Sequence, residues 1–403
     1  MDFTFTDEQD QLRSTVDRAL QRDCPFEKRQ AVVASETGWS PEVWGRIVEL
    51  GLTAIPFPED IGGLGGSIVD LVAVAEVFGA HLLTEPWTAS VVLAGGMLAA
   101  VPDSREARSR LERIASGEAI GALAHEEGRG TPDPTLISTR AERTGSGHAL
   151  TGDKRMVLHG AAADVLVVTA RLDDRLALFL VEPAEASATA FTTIDGRPAA
   201  HLRFAGAPAV LLAAEAEPLV REALDRAVVV LAAEAVGAMG ELLRRTSEYA
   251  FTREQFGVPI GTFQALGHRL ADMRIAHAKA RATLLYTTAL AEAARLTERD
   301  VAVLKAQVGR LGRQVGESAI QLHGGVGMTD ELPVGHLHKR ILTIDALLGP
   351  AEFHLRMLGA PTRVDDFAGT WVEDLSGGRA EDPARSRTEG ESGPRAQEPV
   401  LKR

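Results

Sequence analysis

Arg253 is the side chain in this sequence whose setting best suits phosphate chemistry. It begins the segment Arg253-Glu-Gln-Phe-Gly-Val-Pro-Ile260, in which Gly257 and Pro259 predict a turn between two helices. A planar guanidinium at such a corner can donate two parallel hydrogen bonds to a phosphate. It can equally stay a solvated surface charge, so the segment alone leaves both roles open.

Two glycine-rich stretches could bring the backbone close to a ligand. The first, Gly62-Gly-Leu-Gly-Gly66, follows no predicted strand and precedes no Gly-Lys-Ser/Thr, which favours a structural turn over a phosphate loop. The second, His323-Gly-Gly-Val-Gly327, ends a helical pattern at a place where glycine commonly closes a helix. On its own, the second stretch is more typical of a helix cap than of a ligand contact.

Three regions with different residue patterns follow one another along the chain, and their secondary structure must position these residues. Together they predict an α+β fold that is mainly α. Residues 1–116 are predicted to be helical, with helix starts at Thr6 and at Ser40-Pro41. Residues 117–212 hold short runs of β-branched and large apolar residues between turns, which predict a small antiparallel sheet. Residues 213–362 return to long amphipathic helices, typical of a bundle, and residues 363–403 are predicted to be a disordered tail.

The composition restricts the class of function. The 403 residues carry a formal net charge of −13 and are only 5% aromatic, so nucleic-acid binding is not expected. The first residues lack an apolar signal-peptide core, and no run reaches about 18 apolar residues, so neither secretion nor a membrane span is expected. The single cysteine, Cys24, excludes an internal disulfide and fits a cytoplasmic protein, and no metal site is expected.

Six motifs follow one another along the chain: Leu52–Gly63, Gly152-Asp-Lys154, Arg253-x-Gln-Phe-Gly-x-Pro-Ile260, Phe263-Gln264, Leu270-Ala-Asp-Met273 and Gln321-Leu-His-Gly-Gly-x-Gly327. Together they resemble the motifs of the acyl-CoA dehydrogenase family, over about residues 1–360, with the first resembling its PEEYGG turn and the second its NGxK hairpin. That resemblance implies an N-terminal helical domain, a middle antiparallel β domain and a C-terminal four-helix bundle.

The resemblance also implies FAD, bound between domains and across a subunit interface. A corner arginine would give charge to the FAD pyrophosphate, and glycines would let backbone N–H groups approach it. By position, the residues that would hold the pyrophosphate and adenine of a neighbouring subunit's FAD are Arg253, Gln255, Phe256, Phe263, Gln264, Gln321, Gly324 and Gly325.

The family's reaction, α,β-desaturation of an acyl-CoA thioester, needs a carboxylate to remove the α-proton. The usual position of this base falls on Leu348, and the alternative position, 26 residues before Arg253, falls on Ala227. Neither side chain can accept a proton. Glu234 and Asp345 are other carboxylates of this region, and for both a role in helix packing or on the helix surface is favoured.

The middle segment departs from the family pattern too. His125–Pro132 replaces the flavin-facing segment, and the Trp and Thr that wall the flavin become Met156 and Leu158. The chain is therefore expected to have lost flavin contacts in its own pocket. The residues that would bind the FAD of a neighbouring subunit are expected to be retained. In this the chain resembles the base-lacking subunit of the heterotetrameric actinobacterial acyl-CoA dehydrogenases that act on steroid side chains.

Three functions stay open on the sequence alone. The first is an FAD-dependent acyl-CoA dehydrogenase subunit in a homo- or heterotetramer, working with a second chain that carries the base and with electron-transfer flavoprotein or a similar acceptor. The second is a flavin monooxygenase or oxidase of the same fold, and the third is a non-catalytic scaffolding subunit. CoA phosphates could meet His201, Arg203, Arg244 or Arg245, although a solvated charge is favoured for each.

Overall fold

The N-terminal part of the chain is helical, as predicted. The computed structural model describes residues 5–128, 136–145 and 147–359. Thr6 and Ser40 accept hydrogen bonds from the backbone N–H groups of Gln9 and Val43, both over 3.3 Å, and so start their helices where the sequence predicts. The α-helices of this part are α1 (Asp7–Asp23), α2 (Phe26–Val33), α3 (Pro41–Glu49), α4 (Ile68–Ala80), α5 (Gly96–Ala99) and α6 (Arg105–Ala115).

The first glycine-rich stretch is a structural turn that leads into α4. Gly62 and Gly65 have φ values of +82° and +62°, which favour glycine. Gly63 lies against the backbone of Phe57, because an added Cβ would stand 2.0 Å from the Phe57 carbonyl oxygen. The turn therefore holds Phe57 in place.

A buried π-helix, Thr88–Gly95, runs directly into α5. Ser90 on this helix accepts a hydrogen bond of 2.9 Å from the backbone N–H of Gly121, which ties the helix to the first strand of the sheet. This segment is therefore helical, as predicted for residues 1–116, with a wider turn than that of an α-helix. Single π turns are uncommon and often accompany functional sites.

The middle segment forms a seven-stranded sheet within the described residues, in the order β1-β4-β2-β3-β7-β5, with β6 beside β7 and a further pairing of β4 with β5. Its strands are β1 (Gly121–Ala124), β2 (Arg140–Thr144), β3 (Gly147–Leu158), β4 (Val165–Leu172), β5 (Arg175–Val181), β6 (Ser187–Thr192) and β7 (Pro198–Ala213).

Two details of the sheet correct the sequence prediction. Most pairings are antiparallel, but β1 and β2 both pair with β4 in parallel. The prediction of a wholly antiparallel sheet is wrong there, because strand pairing depends on tertiary contacts that a local pattern does not encode. Gly152-Asp-Lys154 lies inside β3, opposite β7, and not at a hairpin turn.

The C-terminal part is a bundle of long helices, as predicted. The first of them, α7, runs for 36 residues and contacts α4, α8, α9 and α10. The elements of this part are α7 (Glu217–Thr252), β8 (Glu254–Gln255), β9 (Val258–Pro259), α8 (Gln264–Glu292), α9 (Glu298–His323), α10 (Pro333–Ala346) and α11 (Ala351–Gly359).

One hydrophobic core runs through the N-terminal helices, the bundle and one side of the sheet, and a second cluster lies within the sheet segment. The chain up to Leu358 forms one compact unit. The division into domains at residues 116 and 212 stays a prediction. The predicted tail, residues 363–403, lies outside the described residues.

Helices α4 and α7 are in direct backbone contact at two glycines. A Cβ added at Gly79 would lie 1.8 Å from the Glu234 carbonyl oxygen, and one added at Gly237 would lie 1.8 Å from that of Glu76. No side chain fits at such distances, so these glycines set the separation of the two helices. This contact places α7 where its carboxylate Glu234 is buried against the N-terminal helices.

We expect Gly237→Ala to lower the free energy of unfolding by at least about 3 kcal/mol or to prevent folding, because the backbones must separate. Gly45→Ala in α3 is the control, since a Cβ there meets nothing within 4 Å. It should be neutral or stabilise by up to about 1 kcal/mol. Urea unfolding followed by circular dichroism measures both, and equal stability of the two variants would contradict the contact.

Candidate functional site

The corner after α7 is a tight β-hairpin. β8 and β9 pair through Gln255 and Val258, and the two residues between them, Phe256 and Gly257, have φ values of +55° and +79°. Positive φ at both turn residues is the geometry that two-residue hairpins favour. The backbone N–H of Ile260 donates to the Arg253 carbonyl over 2.8 Å and closes the loop. The predicted turn at Gly257 is confirmed.

An aromatic stack brings this hairpin to the glycine segment that follows α9. The rings of Tyr249 and His323 stack with centroids 4.3 Å apart at 21°. Tyr249 lies one turn before Arg253, and His323 is the last residue of α9. Gly324 then ends α9 with a φ of +65°, which confirms its predicted capping role. The two predicted cofactor segments therefore lie at the same end of the bundle.

All the predicted cofactor residues are exposed at this end, which we call the FAD corner: Arg253, Gln255, Phe256, Phe263, Gln264, Gln321, Gly324 and Gly325. Apolar side chains are exposed there too, among them Phe256 at 93% and Met328 at 80%. Within the described residues, no hydrogen bond or ion pair engages the Arg253 guanidinium. A Cβ at Gly324 or Gly325 would meet nothing within 4 Å, so the backbone there is open to a ligand.

The usual base position, Leu348, lies in the turn between α10 and α11. Leu348 has a φ of +53° and is buried. Its backbone N–H donates to a carboxylate oxygen of Glu126 over 2.9 Å, and its carbonyl faces His354 Nε2 at 3.2 Å. The residue that replaces the base thus has both of its backbone groups engaged within this chain, the N–H by the distant Glu126 and the carbonyl by the nearby His354.

Sequence reasoning missed Glu126, although it lies in the segment that replaces the family's flavin-facing motif. The part of that segment from residue 129 to 135 lies outside the described residues. Burial raises the pKa of the Glu126 carboxyl, against the opposing effects of the Leu348 N–H and of Lys305. A carboxyl group therefore stands beside the backbone of the empty base position.

Lys305 and Asp345 hold the Leu348 turn in place. Lys305 Nζ donates to the carbonyls of Ile344 and Asp345, over 2.7 and 2.8 Å, at the end of α10. Burial lowers the Lys305 pKa to about 8. The Asp345 carboxylate accepts from the backbone N–H of Ala351 over 3.1 Å. The sequence made this carboxylate a candidate base, but in the structure it is hydrogen-bonded within the turn.

Glu234, the other carboxylate weighed as a base, belongs to a buried charge network. It accepts from Arg340 over 2.6 Å and from Arg197 over 3.3 Å. Asp195 pairs with the same two arginines, and the pKa of its carboxyl is held far below the usual range: burial opposes this, but the charges of Arg197 and Arg340 outweigh it. Glu234 is therefore paired on two sides, as expected for a helix contact.

Lys154 anchors the segment that replaces the family's flavin-facing motif to β3. Its buried ammonium donates to Glu127 over 2.9 Å and to the His125 carbonyl over 3.0 Å. Burial lowers the Lys154 pKa to about 8. Burial alone would raise the Glu127 pKa, but the charge of Lys154 and hydrogen bonds from Ser138 and Thr139 lower it to about 2.

The predicted flavin-wall positions lie at an irregularity of β3. Met156 has a φ of +53°, and the pairing with β7 shifts between Lys154 and Val157. This is a β-bulge, which redirects side chains locally. Leu158 follows it and is buried.

The two positions at which the family carries its base, here Ala227 and Leu348, line two different cavities. Ala227 lines one of about 280 Å³ between α4, the π-helix and α7, which we call the Ala227 cavity. Leu348 lines one of about 320 Å³ between α7, α9 and α11. The second cavity also contains Asp225, whose pKa is raised to about 6 by burial and by the charge of Glu298.

The four residues considered as contacts for CoA phosphates do not form one cluster of unpaired positive charges. Arg244 and Arg245 both pair with Glu241 on α7, over 2.7 and 2.6 Å. His201 packs against Phe191 with ring centroids 4.6 Å apart, and Arg203 is exposed. Among the helices that the structure describes, none is long and apolar enough to cross a bilayer.

Comparison with family models and with known sequences gives a consistent result. Residues 6–118 match the model of the acyl-CoA dehydrogenase N-terminal domain, and residues 218–361 match that of the C-terminal domain. The acyl-CoA dehydrogenase FadE27 of Mycobacterium tuberculosis is 31% identical over 382 residues, which are 89% of this chain and 98% of that protein. IpdE2 of the same organism is 30% identical, over 81% of this chain and 89% of its own.

Solved structures share the fold. The ChsE4–ChsE5 complex from Mycobacterium tuberculosis matches with a TM-score of 0.83 at 30% identity, over 90% of this chain and 100% of that chain. A steroid acyl-CoA dehydrogenase variant, Tcur3481–Tcur3483, matches with a TM-score of 0.81 at 28% identity, over 88% and 97% of the two chains.

The Lys154–Glu127 pair predicts a pH dependence of stability. Because the folded-state pKa of Glu127 lies below its unfolded value, ionisation of Glu127 contributes about 3 kcal/mol to stability above pH 4.5, and this contribution is lost as the pH falls towards 2. Burial of Lys154, which lowers its pKa to about 8, offsets this contribution at neutral pH but does not change with pH in the acid range. Glu127→Gln should therefore be less stable at pH 7, with the difference narrowing in acid. Urea unfolding across this range measures it, with the exposed Glu142→Gln as control. A difference that does not depend on pH would contradict the assignment.

Proposed function

The chain belongs to the acyl-CoA dehydrogenase family, and we propose that it is the base-lacking subunit of a heteromeric, FAD-dependent enzyme of that family. The heteromer catalyses α,β-desaturation of an acyl-CoA thioester. This chain contributes the FAD corner to a cofactor that lies mainly in a second subunit, and that subunit carries the catalytic carboxylate.

The contrast between two regions carries the proposal. The FAD corner is exposed, with an unengaged arginine, open glycine backbone and exposed phenylalanines. A diphosphate and an aromatic ring system fit such a surface, because the guanidinium can pair with phosphate while the apolar side chains cover the ring. These residues fit the part of FAD that the family resemblance assigns to them.

The second region, around the two base positions of this chain, does not fit the removal of a proton from an acyl-CoA. Leu348 and Ala227 cannot accept a proton, and the Leu348 N–H is already hydrogen-bonded to Glu126. A free N–H beside the reacting carbon would be needed to polarise a thioester carbonyl. The carboxylates Glu234 and Asp345 are engaged in structural contacts. No catalytic step is therefore assigned to a base of this chain.

When bound, FAD supplies the acceptor for the hydride that leaves the β-carbon. The chain's own residues hold and cover the cofactor: Arg253 neutralises phosphate charge, Gly324 and Gly325 leave space for the cofactor to approach the backbone, and Phe256 and Phe263 exclude water. The Phe256 and Phe263 rings are 6.2 Å apart, edge to face. The hairpin and the Tyr249–His323 stack fix the positions of these groups.

The relatives support the quaternary part of the proposal. The ChsE4–ChsE5 structure is a complex of two different chains, and Tcur3481–Tcur3483 is described as a steroid acyl-CoA dehydrogenase. By similarity, we propose a tetramer with a second acyl-CoA dehydrogenase chain, a steroid-derived acyl-CoA as the substrate class, electron-transfer flavoprotein or a similar protein as acceptor, and a cytoplasmic location.

Flavin retention by the heteromer tests the FAD corner. We expect Arg253→Ala to weaken FAD binding at least tenfold, because a charge-assisted contact to phosphate is lost, while assembly with the base-carrying chain is kept. Arg269→Ala is the matched control on an exposed part of α8. Visible absorbance after gel filtration and bleaching by acyl-CoA are the readouts.

Three results would contradict the proposal. Dehydrogenase activity of the isolated chain would show that it has its own base. Oxygenated product formed from reduced flavin would indicate a monooxygenase. Equal flavin retention by Arg253→Ala and Arg269→Ala would show that the FAD corner does not hold the cofactor.

A further inference from the structure

We propose that the outer edge of β6 pairs with the β6 strand of a second copy of this chain, so that the two sheets become continuous. Strand β6 is six residues long, and among the strands that the structure describes it pairs with β7 alone. All of its residues are exposed except Phe191, which is half-buried. An exposed edge strand offers unpaired N–H and C=O groups to another strand.

Three residues of β6 direct their backbone groups away from β7. The Pro198 carbonyl of β7 accepts from the backbone N–H of His159 over 3.0 Å, on the β3 side, so it faces away from Thr192, the residue opposite it on β6. The N–H and C=O of Thr192 therefore point outward, and by alternation along the strand so do those of Ala188 and Ala190. Within the described part of the chain, no hydrogen bond engages these outward groups.

The usual devices that keep other strands away are missing from β6. Edge strands of natural proteins commonly carry a charge, a proline or a bulge for this purpose. Residues 186–194 contain no charged residue and no proline, and the pairing of β6 with β7 has no register shift. The side chains of the outward-facing residues Ala188, Ala190 and Thr192 are small, so a second strand can approach the edge closely.

A second copy of β6 matches this edge in register. A two-fold axis at Ala190 places Ala190 opposite its own counterpart, and Ala188 opposite Thr192 of the second copy. All three residues face outward, so each of these pairs can exchange two hydrogen bonds. The same axis places Phe191 opposite Thr189 of the second copy, and a pair of an aromatic and a β-branched side chain favours strand pairing. Because the segment is uncharged, no like charges meet across the axis.

The pairing also covers an exposed apolar side chain. Ile194, in the turn after β6, is 63% exposed. In an antiparallel pair the end of one β6 lies near the start of the other, so Ile194 loses contact with water on association. The contact is short, and we expect a Kd of about 10 µM to about 1 mM, the range of small, transient interfaces. The FAD corner is formed by other segments of the chain, so the pairing does not rest on the proposed function.

Charge substitutions at Ala190 test the pairing, because the axis brings this residue opposite itself. The full-length chain is studied as it purifies, alone or in an assembly, since pairing raises the mass of either species. Sedimentation velocity from about 1 µM to about 1 mM should show the wild-type mass rising to twice its value or beyond. Ala190→Lys and Ala190→Glu should each weaken association at least about fivefold through like-charge repulsion. An equimolar mixture of the two variants should associate at least as tightly as the wild type.

Ala205→Lys in β7 is the matched control, because Ala205 is also exposed on the sheet but lies outside the ladder with β6. It should associate as the wild type does. A wild-type mass that stays constant overturns the pairing and leaves the edge to a strand of another protein. Equal association of Ala190→Lys and the wild type overturns the use of β6, and a mixture no tighter than either variant overturns the two-fold axis. Each result holds whether or not the chain binds FAD or a base-carrying subunit.

Discussion

The guanidinium of Arg340 connects three parts of the chain that are far apart in sequence. Fully buried on α10, it pairs with Asp195 of the loop before β7 and with Glu234 of α7, and it donates to the Leu83 carbonyl over 2.8 Å. Breaking one partner of such a buried pair commonly costs about 3–5 kcal/mol, because a charge is left unpaired away from water. The sheet, the N-terminal helices and the bundle are therefore held in one arrangement. In that arrangement Glu234 is a structural carboxylate.

The position of α10 in turn determines the position of the Leu348 turn, which follows its last residues. Lys305 binds the carbonyls at the end of α10, and the Leu348 turn follows directly, with its N–H on Glu126. The backbone N–H at the family's usual base position is thus occupied from within the chain. At the opposite end of the bundle, in the FAD corner, no hydrogen bond or ion pair among the described residues engages the Arg253 guanidinium, and a Cβ at Gly324 or Gly325 would meet nothing within 4 Å. The closed turn and the open FAD corner together suit a subunit that completes the cofactor site of another.

The sequence predicted the features that depend on neighbouring residues. Caps at Thr6 and Ser40, the turn at Gly257 and the helix end at Gly324 follow from local backbone preferences, and the structure has each of them. The hydrogen bond between Glu126 and Leu348 joins residues 222 positions apart, and the Arg340 network spans even longer separations. No local periodicity or motif indicates contacts between residues so far apart in the sequence. The parallel pairings of β4 and the cavity beside Ala227 were missed for the same reason.

The number of FAD molecules in the purified heteromer tests the central claim most directly. If this chain completes its partner's cofactor site and lacks an own flavin pocket, quantitative flavin absorbance against protein mass should give one FAD for each pair of unlike chains. The isolated chain should then carry none. Two FAD molecules per pair, or stoichiometric FAD in the isolated chain, would contradict the account, because the chain would then possess a complete flavin site of its own.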